Sequence, residues 1–211
     1  MKPLDDSQAH EAGLPLPPPL PWRLPGIAHA GVFTLARPLD VPGGLHALAP
    51  RKLMVFVNRY RGGDASYEVL GLASLVRRKG RVALVLRQVW VDEPGVRHVG
   101  RAQGLTPSDP GVFTWEDSGL SVSSEKATAA LSWRDRARLA LPTPITFTYF
   151  VSDGDRLGLV KAPGRATARP ISLRLDEWPG HFPELTSHQA SFALRLDFTL
   201  TVRPPRMIGP P

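Results

Sequence analysis

The sequence has no cysteine, which excludes thiol nucleophiles, disulfides and cysteine-bound metals. Lysine is scarce as well: Lys2, Lys52, Lys79, Lys126 and Lys161 are the whole set, so most of the positive charge is arginine. No stretch approaches the ~18 uninterrupted apolar residues of a membrane span, so no membrane association is expected. The acidic start "MKPLDDSQAHEAG" lacks the apolar segment of a signal peptide, and a cytoplasmic location is expected. No helical period survives over a dozen residues, and no internal repeat is visible. The loops G-x-S-x-G, Walker A and G-x-G-x-x-G are absent. His10, His29, His46, His98, His181 and His188 show no metal-ligand spacing, so neither a metal nor another cofactor is expected.

What is present suits strands. The 211 residues, 42% of them hydrophobic, are enough for one domain with a real core. The 23 prolines and 19 glycines favour turns over helices, and the formal net charge is +7. The densest basic runs are "RRKGR" (77–81) and "RDRAR" (134–138). The first reads as a hairpin turn and the second is mixed in sign. No nucleic-acid-binding module accompanies them, so no nucleic-acid partner is expected.

Residues 1–20 form a Pro-rich leader, extended or disordered, and residues 21–211 a single domain. "LPLPPPLPW" favours a polyproline conformation. It reads either as a partner-recruiting ligand or as a surface strap anchored by Trp22. Strands are predicted over 27–35, 53–60, 66–76, 81–92, 111–117, 119–124, 127–134, 144–152, 156–162, 168–175 and 190–202, from β-branched and aromatic enrichment and period-two alternation. In the 81–92 strand Val82, Leu84 and Leu86 share one face and Ala83, Val85 and Arg87 the other, so both sides are mostly apolar. A turn with one helical turn is expected between 38 and 50, and a short helix over 93–102. A closed or nearly closed antiparallel barrel would hide the edges of so many strands.

Four stretches, in order, resemble the acetoacetate decarboxylase-like superfamily: "LPPPLPWRLPGIAHAGVF", "FVNRYRGGDASYEVLGLA", "VWVDEPGVRHVGRAQGLTPSD", and "PITFTYFVSDGDRLGLVKA" followed by "FTLTVRPPRMIG". The resemblance covers most of residues 20–208. It implies a mostly-β, cone-shaped closed barrel with an interior pocket, and it is compatible with a homo-oligomer. It also implies a catalytic lysine directly after the loop proline, followed by a second lysine. Here Pro107 is followed by Ser108 and Asp109. A hydroxyl forms no imine, so the protonated imine that accepts electrons in decarboxylation has no source at this place. The family's binding arginine falls at Gly26 or Ile27 and is missing too. Lys161 is the one lysine on an apolar strand, and a snorkelling role is preferred over that of a relocated nucleophile.

The expected function is therefore a decarboxylase-like protein without Schiff-base chemistry, binding a small organic acid in the barrel. Glu68, Arg101, Ser108 and Asp109 are the candidate ligand-binding residues. The first alternative is a non-covalent acid/base enzyme for enolisation, dehydration or hydrolysis, with Glu68 or Asp109 catalytic. Glu68 either points inward, where burial would raise its pKa, or faces solvent. Arg101 either holds an anion or ties the loop to Asp92; Arg59 and Tyr60 carry the same ambiguity. A second alternative is a scaffold subunit whose leader recruits a partner. Trp90, Trp115, Trp133 and Trp178 either line a pocket or pack in the core.

Overall fold

The computed structural model describes residues 18–41, 44–102, 108–136, 140–153 and 156–208. Residues 1–17 of the leader, loop residues 103–107 and Gly154 of the Asp-Gly turn lie outside the described residues. The fold is mostly β, as expected. Seven long strands close a ring: β1 (Trp22–Thr34), β3 (Lys52–Tyr60), β4 (Tyr67–Arg78), β5 (Arg81–Val91), β10 (Leu141–Asp153), β11 (Arg156–Glu177) and β12 (Phe192–Val202). Their order is β10-β5-β4-β3-β1-β12-β11, and β11 pairs back onto β10. Ring closure leaves these strands no open edge. One seam departs from the antiparallel expectation. β10 meets β5 in parallel, and only through Tyr149↔Leu84 and Phe150↔Val85, so the ring is mixed.

Two predicted strands, 156–162 and 168–175, are one 22-residue strand, β11. Its first part pairs with β12 up to Pro170↔Leu194, and from Ile171↔Asp135 it pairs with β9. The proline sits where the strand changes partners, a place where a missing donor is tolerated. β7 (Val112–Glu116), β8 (Gly119–Ser123) and β9 (Thr128–Asp135) thus extend from β11 as a second layer. The expected helical turn between 38 and 50 is instead the two-residue strand β2 (His46–Ala47), paired with β4. The "RRKG" turn is a two-residue hairpin: Lys79 and Gly80 have φ of 44° and 77°, the pair of positive values such a loop needs.

Three apolar clusters hold this together. The largest fills the space between the outer face of the ring and the second layer, with Phe33, Leu53, Val55, Leu70, Leu72 and Trp90 on one side and Leu120, Val122, Leu131, Leu173 and Leu175 on the other. A second occupies the ring interior, including Trp22, Leu24, Tyr60, Val69, Val89, Leu196 and Phe198. The third packs Ala83, Val85, Phe150, Leu157 and Leu159 on the outer side of β5, β10 and β11. Strands in this ring are therefore apolar on both faces, the two-sided pattern read in 81–92. The helix α1 (Pro94–Ala102) follows β5, and the short β6 (Ser108–Pro110) pairs in parallel with Val89–Val91. The last strand, β13 (Arg206–Met207), pairs with Gly158 and Leu159. No helix among the described residues is long and apolar enough to cross a membrane.

Candidate functional site

The ring interior contains a cavity of about 180 Å³. Side-chain alternation decides what lines it. From β3 come Met54, Phe56, Asn58 and Tyr60; from β4, Tyr67 and Val69; from β10, Phe147 and Tyr149. Every second residue points inward, as the pleat requires. β5 is the exception that proves informative. Leu84 and Leu86 line the cavity, and so do Val89 and Val91, which have the opposite parity. The register steps from Leu72↔Gln88 to Ala73↔Leu86, leaving Arg87 unopposed as a β-bulge. The bulge turns the strand over, so that both halves send apolar side chains inward.

Helix α1 contributes Val96, Val99 and Gly100 to the lining. It is fastened by Arg97, whose Nη1 donates to the carbonyls of Val91 and Asp92 at 2.8 and 2.9 Å. Asp92 Oδ1 accepts the Glu68 amide at 2.8 Å. Arg97 thus ties helix α1 to the end of β5 through backbone carbonyls. The Arg101 side chain lies outside the described residues.

The polar lining is neutral: Asn58, Tyr60, Tyr67, Tyr149 and Ser108, with no charged side chain among the described residues. Asn58 Nδ2 donates to the Tyr60 hydroxyl at 2.8 Å, and the Tyr60 and Tyr67 rings lie 4.4 Å apart. Burial pushes the Tyr60 phenol up to about 12, against the hydrogen bonds from Asn58 and Tyr67. Burial also raises Tyr67 and Tyr149, with neighbouring phenols adding to it. All three stay protonated at neutral pH, so they serve as hydrogen-bond partners and not as bases.

Ser108 is buried and lines the cavity, opposite Val89 in the parallel β5–β6 pair. Asp109, the next residue, pairs with Trp90, whose side chain packs in the outer core, and it does not border the cavity. Glu68 does not border it either. It alternates with the lining residues Tyr67 and Val69 and shares a face with Leu70 and Leu72 of the outer core. Its Oε1 lies 2.8 Å from Arg59 Nε, and the Arg59 guanidinium sits 5.0 Å from the Trp115 ring centroid. Both expectations for Glu68, cavity acid or solvated residue, give way to an ion pair packed toward the second layer. One residue of strand parity decides the matter.

The place expected for an arginine is closed. A Cβ on Gly26 would stand 2.6 Å from the Arg59 carbonyl oxygen, and Ala28 and Ala30 line the cavity, so Ile27 points the other way. Lys161 is exposed on the outer side of β11 and borders a groove there, while the adjacent Ala162 lines the interior. Lys52 is also exposed and donates to Thr34 Oγ1. Of the tryptophans, Trp22 lines the cavity, whereas Trp90, Trp115, Trp133 and Trp178 belong to the outer cluster. Trp22 is anchored by its indole N–H, which donates to the Pro18 carbonyl. Asn58, Tyr67 and Tyr149 were not singled out in the sequence. The even positions 54, 56, 58 and 60 of β3 carried the signal that would have found the first of them.

No family model matches the sequence, and no curated relative does. Solved structures match along the whole chain. The enduracididine biosynthesis enzyme MppR complexed with pyruvate superposes with a TM-score of 0.66 at 15% identity, covering 97% of this chain and 95% of that one. Acetoacetate decarboxylase from Legionella pneumophila gives 0.65 at 15% identity, with 100% and 98% covered. An acetoacetate decarboxylase-like enzyme from Sphingomonas wittichii gives 0.55 at 14% identity, with 88% and 93% covered. With the closed ring, the interior cavity and the full-length superpositions together, the chain has the acetoacetate decarboxylase-like fold.

Proposed function

We propose that this protein binds a small, uncharged, largely apolar molecule with a carbonyl or hydroxyl group inside the ring, and that it forms no Schiff base with it. The observation that carries the reading is the lining itself: apolar walls with Asn58, Tyr60, Tyr67, Tyr149 and Ser108 as the polar groups, and neither lysine nor arginine among the described lining residues. The reading amends the organic acid expected from sequence, because a carboxylate buried there would find no compensating cation among the described lining residues. The volume of about 180 Å³ is below the ~300–1,000 Å³ of drug-sized pockets and suits a ligand of few atoms. The Tyr60 oxygen accepts a hydrogen bond from Asn58. Its own O–H is the group it would offer to a ligand carbonyl. Acid/base catalysis by Glu68 or Asp109 loses its support, since neither borders the cavity.

The test is a panel of small ketones, alcohols and the corresponding keto acids, measured by calorimetry and thermal shift on the full chain. Neutral carbonyl compounds are expected to bind more tightly than their acids. Tyr60→Phe should weaken them about tenfold, the ~1–1.5 kcal/mol of one hydrogen bond. Borohydride added with a keto acid is expected to leave the protein mass unchanged. A mass adduct, or tighter binding of the acids, would sink the proposal.

A further inference from the structure

A second concavity lies on the outside of the ring, where four separate strands or strand ends meet. It has a volume of about 560 Å³ and is lined by Arg81, Val82, Thr148, Leu159, Lys161, Arg203, Pro204 and Arg206. Arg81 opens β5, Lys161 lies on β11, Arg203 follows β12, and Arg206 is in β13. All four cations are exposed, and no carboxylate lines the groove among the described residues. In sequence they lie far apart: Arg81 closes the basic hairpin run 77–81, Lys161 stands on an apolar strand, and Arg203 and Arg206 flank Pro204 and Pro205. Only the fold brings them together.

The arrangement is held by the backbone. The Arg203 amide donates to the Lys161 carbonyl at 3.3 Å, and the Ile208 amide to the Leu157 carbonyl at 2.8 Å. Between these ties β13 pairs with Gly158 and Leu159, and Pro204 and Pro205 stiffen the connection. Four like charges on a fixed framework repel one another, and a bound polyanion removes that cost. Guanidinium forks match phosphate oxygens, and a lysine adds a compact point charge. Val82, Leu159 and Pro204 supply an apolar surface beside the cations, and Thr148 a hydroxyl. The volume falls within the ~300–1,000 Å³ of small-ligand sites.

We propose that this groove is a second binding site, for a small molecule carrying several phosphate charges on a partly apolar body. It is separate from the interior cavity: the two share no lining residue. Inorganic tripolyphosphate titrated into the full chain by calorimetry, at about 0.15 M salt where distant charges are screened, is the direct probe. Saturable binding is expected. Lys161→Glu and Arg203→Glu should each weaken it about tenfold, as expected for losing a charge-assisted contact. Both residues are exposed, and unchanged thermal unfolding of the variants will show that the fold is kept. Arg134→Glu makes the same change of net charge on β9, opposite Ser172 and far along β11 from Lys161. It should change the affinity less than about twofold. No binding at this salt, equal losses in all three variants, or tighter binding of a short DNA duplex through the same residues would each overturn the proposal.

Discussion

His29 illustrates how much one side chain takes from its surroundings. It stands on β1 directly opposite Arg195, is 3% exposed, and stacks on Trp133 with ring centroids 3.9 Å apart. Burial, aided by the Arg195 charge and opposed by Asp197 and Asp135, holds its pKa down at about 4 against an ordinary 6.5. Such a histidine is neutral in the folded chain and gains its proton first in the unfolded one. Its contribution is fully present above pH 6.5 and is lost as pH falls toward 4, amounting at the limit to about 3 kcal/mol. His29→Phe keeps the stacking and removes the titration. Its unfolding free energy should therefore fall less between pH 7 and pH 4 than that of the parent, by about that amount, in denaturant titrations at each pH. The Tyr60 phenol moves the opposite way, up to about 12, and so keeps its donor proton across the neutral range. None of this was legible from residue types. Ser108, made a candidate ligand residue by its place after Pro107 in the family resemblance, lines the cavity, whereas Asp109 beside it does not. The sequence left Glu68 undecided because a one-residue shift of strand parity exchanges the interior for the outer core.

At the scale of elements, the strands were largely readable and their exceptions were not. Alternation placed β3, β5 and β12 to within a few residues. The bulge at Arg87 leaves no mark in composition, yet it turns Val89 and Val91 into the cavity after Leu84 and Leu86. Gly71 on β4 is a second such feature. A Cβ there would lie 2.1 Å from Phe56 Cζ, so the glycine makes room for a ring that lines the cavity. Gly71→Ala should displace Phe56 and cost about 1–3 kcal/mol by overpacking. Reduced ligand affinity together with a lower thermal midpoint is the expected result; a lower midpoint with full affinity would show that Phe56 yields away from the cavity.

For the whole molecule, closure rests on a thin seam. β10 joins β11 through thirteen register pairs, from Leu141↔Ala168 to Asp153↔Arg156, but meets β5 through two. Amides of β5 that face β10 should therefore exchange hydrogen faster than those that face β4, where the ladder runs from Val69 to Arg78. Uniform protection across β5 would contradict this. The sequence by itself determined the mostly-β class, most strand positions, the hairpin at Lys79–Gly80 and the serine after Pro107, because these follow from local periodicity, turn chemistry and residue identity. Only the tertiary structure decided that the ring closes through a parallel seam, that Glu68 pairs with Arg59 outside the cavity, and that four scattered cations share one groove. Each of these depends on register and on contacts between residues far apart in the chain, and neither is encoded in any local stretch of it.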